Sequence, residues 1–96
     1  MTKDEKSLLL YLETCCVDYG GSVDGQKINT DDHAIIKRWA ASGFIEFGRI
    51  CFDDIKGHRT NWVMLSPDAW EAAHKERNAR FLRLYANRTW RKTEEK

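Results

Sequence analysis

Three histidines, three cysteines and two pairs of adjacent aspartates are the residues of this 96-residue chain with the chemistry to hold a metal or move a proton. His33, His58 and His74 stand isolated in sequence, and no Ser or Cys sits in a nucleophile motif. No glycine-rich phosphate loop follows a strand-like run. Cys15 and Cys16 are neighbours and Cys51 is alone, so the C-x-x-C spacing of a structural zinc site is absent. Cys51, His58 and His74 match no ligand spacing either. Asp31-Asp32 and Asp53-Asp54 suit a hard cation, yet each pair falls where helix starts and turns favour Asp. The sequence therefore predicts no enzyme, no metal and no cofactor. The odd cysteine count predicts buried free thiols in a reducing, cytoplasmic setting.

Binding chemistry is better represented. The net charge is only +1, but it is unevenly spread: residues 1 to 36 carry −4, residues 37 to 73 balance, and residues 74 to 96 carry +5. A chain so polarised can present a basic surface to nucleic acid although its total nearly cancels. Between Lys75 and Lys92 basic residues are interleaved with Phe81, Tyr85 and Trp90, a mixture that suits nucleic acid or a partner helix. The longest apolar run, Leu8 to Leu12, is far short of the ~18 residues of a membrane span. No secretory signal is visible.

The elements that must position these residues follow from periodicity and punctuation. Thr2 and Glu5 form a capping box, and Leu8, Leu9, Leu12, Cys15, Cys16 and Tyr19 recur at helical spacing until Gly20-Gly21. A helix over residues 3 to 19 is predicted. Ser22 to Ile28 reads as a short extended piece with a turn at Gly25. Asn29 or Thr30 then caps a second helix, its first turn carrying Asp31 and Asp32 and its apolar face Ile35, Ile36, Trp39 and Ala40. Gly43 ends it. Phe44 to Phe52 and Trp62 to Leu65 read as the two strands of a hairpin with a charged tip. Ser66-Pro67 starts a last helix that meets no further Gly or Pro up to about Lys92. At ~1.5 Å per residue that helix outruns a domain of this size, so its distal half is expected to project or pair. The four Trp and four Phe are assigned mainly to packing.

Helix, extended piece, helix, hairpin, helix is the order of a winged helix. Trp39-Ala40-Ala41-Ser42-Gly43-Phe44-Ile45, followed by Trp62-Val63-Met64-Leu65-Ser66-Pro67-Asp68-Ala69-Trp70, resembles the end of the recognition helix, the Gly-Leu-Ile start of the wing and its Val-x-Leu-Thr exit in MarR-type winged-helix proteins. The likeness covers residues 30 to 70. Residues 8 to 45 are also similar in organisation to small phage and prophage winged-helix proteins. The expected fold is thus α+β and mainly helical: one winged helix-turn-helix-like domain over residues 1 to 96, with a two-stranded β-hairpin wing and a long C-terminal helix at 67 to 92. The chain departs from the pattern where the helix before the recognition helix shrinks to Gly25–Asn29, and where two acids head the recognition helix.

Burying Ile35, Ile36, Trp39 and Ala40 turns Thr30, His33 and Lys37 outward, with Arg38 at the flank. Lys56 and Arg59 sit at the wing, where phosphate is met. These six are the candidate DNA contacts. The resemblance also implies dimerisation through terminal helices, for which Arg77, Phe81, Leu84 and Tyr85 are the candidates. Two functions are carried forward: a non-catalytic regulator or accessory protein on double-stranded DNA, of phage, prophage or bacterial type, or a winged-helix module that docks on a protein partner.

Overall fold

The computed structural model describes residues 1 to 86. Arg88, Trp90, Arg91 and Lys92, assigned by the sequence to the last helix, lie outside the described residues. Helix α1 (Lys3–Tyr19) begins with the predicted capping box: Glu5 N donates to Thr2 Oγ1 at 3.1 Å, and Thr2 N to Glu5 Oε1 at 2.8 Å. Its C-terminus is Gly20 at φ 62°, a left-handed conformation that costs a residue with a Cβ. Strand β1 (Ser22–Asp24) and a 3-10 turn (Gly25–Lys27) lead to helix α2 (Thr30–Ser42). The strands β2 (Ile45–Arg49) and β3 (Arg59–Leu65) follow, then helix α3 (Pro67–Ala86). Ser66 caps α3 through its hydroxyl, which accepts from Ala69 N at 3.1 Å.

The predicted extended piece has a structural role that its sequence concealed. It adds to the hairpin as β1, giving a three-stranded antiparallel sheet in the order β1-β3-β2. The hairpin strands are shifted from their expected bounds: β2 ends at Arg49, and β3 starts three residues before Trp62. Phe52 belongs instead to a 3-10 turn, Phe52–Asp54. Val63 N donates to Gly21 O at 2.8 Å, and a Cβ on Gly21 would lie 2.9 Å from Val63 O. That approach and φ 94° together reserve the position for glycine.

Leu8, Leu9, Leu12 and Cys15 of α1 meet Ile35, Ile36 and Trp39 of α2, Val23, Ile45, Val63 and Leu65 of the sheet, and Ala69 and Ala73 of α3. Each fully buried leucine contributes about 1.5–3 kcal/mol. Four sequence assignments are corrected here. Ala40 is exposed, because α2 lies on the sheet by its 35-36-39 edge alone. Tyr19 is 52% exposed and serves as the ring beneath the Arg59 guanidinium, 3.5 Å from its centroid. Cys51 is exposed, unlike Cys15 and Cys16, since it precedes the turn at the far end of the hairpin. Phe52 is exposed rather than packed.

Helix α3 is fastened to α1 by charge as well as by its two alanines. Glu13 of α1, 2% exposed, accepts from Arg77 Nε and lies 3.2 Å from His74 Nε2. Arg77 also donates to Thr14 Oγ1 at 2.6 Å. A second buried acid, Glu76, meets Arg83 at 2.8 Å and Lys6 at 3.7 Å. The Arg83 hydrogen bond holds its pKa below the usual value against the opposing effect of burial. Beyond residue 79 every described side chain of α3 is exposed.

Candidate nucleic-acid interface

An open groove of about 580 Å³ lies between α2, the 3-10 turn and the hairpin. It is lined by His33 of α2, Gly25 and Gln26 of the 3-10 turn, Phe47, Gly48 and Arg49 of β2, and Thr60 and Asn61 of β3. His58, from the hairpin loop, lines it as well. Its carbonyl accepts from Gly25 N at 3.1 Å, which ties the hairpin loop to the 3-10 turn. A second groove of about 420 Å³ shares His33 and Phe47 with the first and is lined also by Ile36, Lys37 and Ala40 of α2. The combined face carries two fixed cations, Lys37 and Arg49, and two imidazoles. Exposed alanines at 34, 40 and 41 leave the α2 surface low enough for close approach.

The two acids at the head of α2 do not belong to this face. Asp32 Oδ2 accepts from Asn29 N at 3.2 Å while Asn29 Oδ1 accepts from Asp32 N at 2.8 Å, a second capping box. Asp31 and Asp32 line a notch between the starts of α1 and α2, beside Asp4, Ser7 and Lys27. With about 100° between successive helical residues, Asp31 and His33 point some 200° apart.

The six predicted contact residues divide. Thr30, His33 and Lys37 are exposed on α2, and Lys56 is exposed in the turn that carries His58. Arg38 instead spans to α1, donating to Glu5 Oε2 at 2.6 Å. Arg59 turns toward the C-terminal end of α1, where it donates to Ser22 O at 2.6 Å and covers Tyr19. Both arginines are occupied within the chain. The wheel that put Arg38 at the flank was blind to Glu5, and a hairpin drawn without β1 could not show Ser22 beside Arg59. Arg49 was missed; it ends β2 on the face of Ile45 and Phe47, and the alternation of that strand was the signal available.

Of the residues proposed for a partner helix, Phe81, Leu84 and Tyr85 are exposed with Leu82, and the Phe81 and Tyr85 rings lie 5.8 Å apart. Arg77 is held by Glu13. Among the described residues, no group of three or more His, Cys, Asp or Glu side chains is placed to share a metal ion. Among them too, no helix is long and apolar enough to cross a membrane.

No protein-family model matches the chain, and no curated protein does. Among solved structures it is similar to a reported archaeal mechanosensitive channel described as a structural homolog of MarR-like transcriptional regulators. The TM-score is 0.56 at 19% identity, over 96% of this chain and 74% of that one. The chain thus has a winged-helix fold, with the 3-10 turn Gly25–Lys27 standing where the pattern has a full helix.

Proposed function

We propose that this chain is a non-catalytic winged-helix protein that binds double-stranded DNA as a regulator or accessory factor. The supporting observation is the separation of charge around α2: His33 and Lys37 share the groove face with Arg49, while Asp31 and Asp32 face the notch beside α1. Helix α2 enters the major groove, Lys37, Arg49 and Lys56 neutralise phosphates, and Thr30 and His33 approach base edges. Arg38 and Arg59 hold the scaffold.

The protein acts as a homodimer in this reading. Phe81, Leu84 and Tyr85 recur at helical spacing on the exposed end of α3, and a stripe of that kind is self-complementary about a two-fold axis. Light scattering is expected to give twice the chain mass, and Phe81→Ala with Tyr85→Ala to restore the monomer. A monomer for the unaltered chain at micromolar concentration defeats the dimer.

The test of DNA binding is anisotropy of a labelled duplex with the full chain at ~50 and ~200 mM salt. Each engaged groove, neutralising three phosphates, contributes about −2.7 to the slope of log affinity against log salt, or roughly fortyfold weakening over that range. Lys37→Gln and Arg49→Gln each flatten the slope by about 0.9 per engaged groove, whereas Arg38→Gln leaves it unchanged. No affinity at the lower salt refutes the proposal. Phe52 favours the second reading, docking on a protein: it is 87% exposed beside Asp53 and Asp54, and fits an apolar pocket with a basic rim. In that case Phe52→Ala abolishes docking without touching the groove.

A further inference from the structure

The groove contains an imbalance that fixed charges do not explain. Of the residues lining its larger part, Arg49 is the one permanent cation, and His33 and His58 face the same space from different elements. The remaining lining groups, Gln26, Thr60 and Asn61, are uncharged, and Asn61 is partly committed, since its Nδ2 donates to Gly48 O at 3.1 Å. Of the charged groups on the surrounding elements, Glu46 of β2 is exposed on the strand face opposite Phe47 and Arg49, Arg38 of α2 pairs with Glu5, and Arg59 of β3 donates to Ser22 O. Lys37 lies one turn after His33 on α2, and Asp31 and Asp32 line the notch beside α1. Asp24 ends β1 and accepts from Gln26 N at 2.9 Å, and Lys27 of the 3-10 turn lines the acidic notch. Lys56 is exposed near His58, and Asp53 and Asp54 are exposed on the preceding turn. The acids do not line the groove, so protonated imidazoles there have no carboxylate to neutralise them.

Resting on the reading that this groove takes a DNA backbone, we infer that His33 and His58 form a proton-operated charge switch that tightens DNA binding as pH falls. Histidine is the side chain that ordinarily changes charge between pH 5 and 8. Each added positive charge gives the groove one more phosphate to neutralise. Protons taken up on binding raise affinity at low pH by linkage, and DNA bound to the groove favours the charged imidazoles in return. The hydrogen bond from Gly25 N to His58 O fixes the loop, so His58 is held at the groove while its ring stays exposed to solvent. Apart from these two, the described residues contain His74, which belongs to the Glu13 cluster between α1 and α3.

By linkage, a histidine that takes up about a third of a proton on binding tightens it roughly fivefold over two pH units, and two together roughly twenty-fivefold. Two extra neutralised phosphates also steepen the salt slope by about 1.8. The experiment is anisotropy of a rhodamine-labelled duplex with the full chain at pH 7.5, 6.5 and 5.5, at constant ionic strength. The expected result is tightening of about twentyfold and a steeper salt slope at pH 5.5. His33→Gln with His58→Gln flattens both responses, and each single variant removes about half of the logarithmic change. His74→Gln retains the full response. Binding at pH 7.5 with a flat pH profile overturns this inference and leaves the DNA-binding proposal standing. So does a pH response that survives in the double variant. Absence of binding at every pH overturns both.

Discussion

Removing the charge of either partner in the Glu13–Arg77 pair breaks the same ion pair, yet the two losses should differ widely in cost. The Glu13 side chain is 3% exposed, whereas that of Arg77 is 49% exposed. When Glu13→Gln removes the charge, the guanidinium can turn into water and keep its bond to Thr14, so the cost is about 1 kcal/mol. When Arg77→Ala removes the cation, a carboxylate stays buried with only His74 beside it, and stranding a buried charge costs about 3–5 kcal/mol. His74 is 68% exposed and screens part of this, which brings the expected figure to about 3 kcal/mol. Domains of this size have roughly 5–10 kcal/mol in total, so Arg77→Ala should lower Tm by about 12–20 °C and Glu13→Gln by about 5 °C. Urea unfolding of both variants, with Thr14→Val as control for the lost hydroxyl contact, measures the difference. If Glu13→Gln costs as much as Arg77→Ala, the burial asymmetry is not what sets the energetics of the α1–α3 contact.

Three shorter predictions follow from local geometry. Gly21→Ala should destabilise by about 2 kcal/mol or more, since it adds a contact 2.9 Å from a backbone oxygen to a positive φ, whereas Gly43→Ala, with φ 81° and open space around it, should cost about 1 kcal/mol. The Thr2 hydrogen bonds hold the Glu5 carboxyl below its ordinary 4.5, with a smaller contribution from Arg38. The stabilisation they give is therefore present above that pH and lost as pH falls through the depressed value, and NMR titration should find the Glu5 midpoint rising in Arg38→Gln and in Thr2→Val yet staying below the ordinary value in both, since each keeps the Thr2 backbone N–H. Thiol labelling at neutral pH should proceed fastest at Cys51: it is exposed, Cys15 is buried, and burial pushes the Cys16 thiol up.

The helices were legible because their signals are local. The Thr2–Glu5 box, the Asn29 cap, Gly43 and Ser66-Pro67 act within a few residues of one another, and each stands in the structure where its chemistry placed it. What escaped was set by contacts between distant segments. Val23 is one apolar residue between turn formers, and only its pairing with Asn61 of β3 makes Ser22–Asp24 a strand. Arg59 has no sequence neighbour that would draw it to Ser22 and Tyr19; β1 supplies both the direction and the acceptor. For Phe81, Leu84 and Tyr85, periodicity fixes a direction around α3 and not how far along it the neighbouring α1 reaches.

That overhang bears on whether the groove alone can account for DNA affinity. One chain offers Lys37, Arg49 and Lys56 at neutral pH, enough for about three phosphates and a salt slope near −2.7. Two chains joined through α3 double the count, and when both engage one duplex the slope approaches −5.4, or weakening of roughly 2,000-fold between ~50 and ~200 mM salt. The slope thus reports how many grooves are engaged, independently of the absolute affinity. Phe81→Ala with Tyr85→Ala should return it to about −2.7 while Lys37 and Arg49 remain in place. A slope that stays near −5.4 in a variant shown by light scattering to be monomeric would mean that cations outside the groove supply the difference, and the two-groove account would fail.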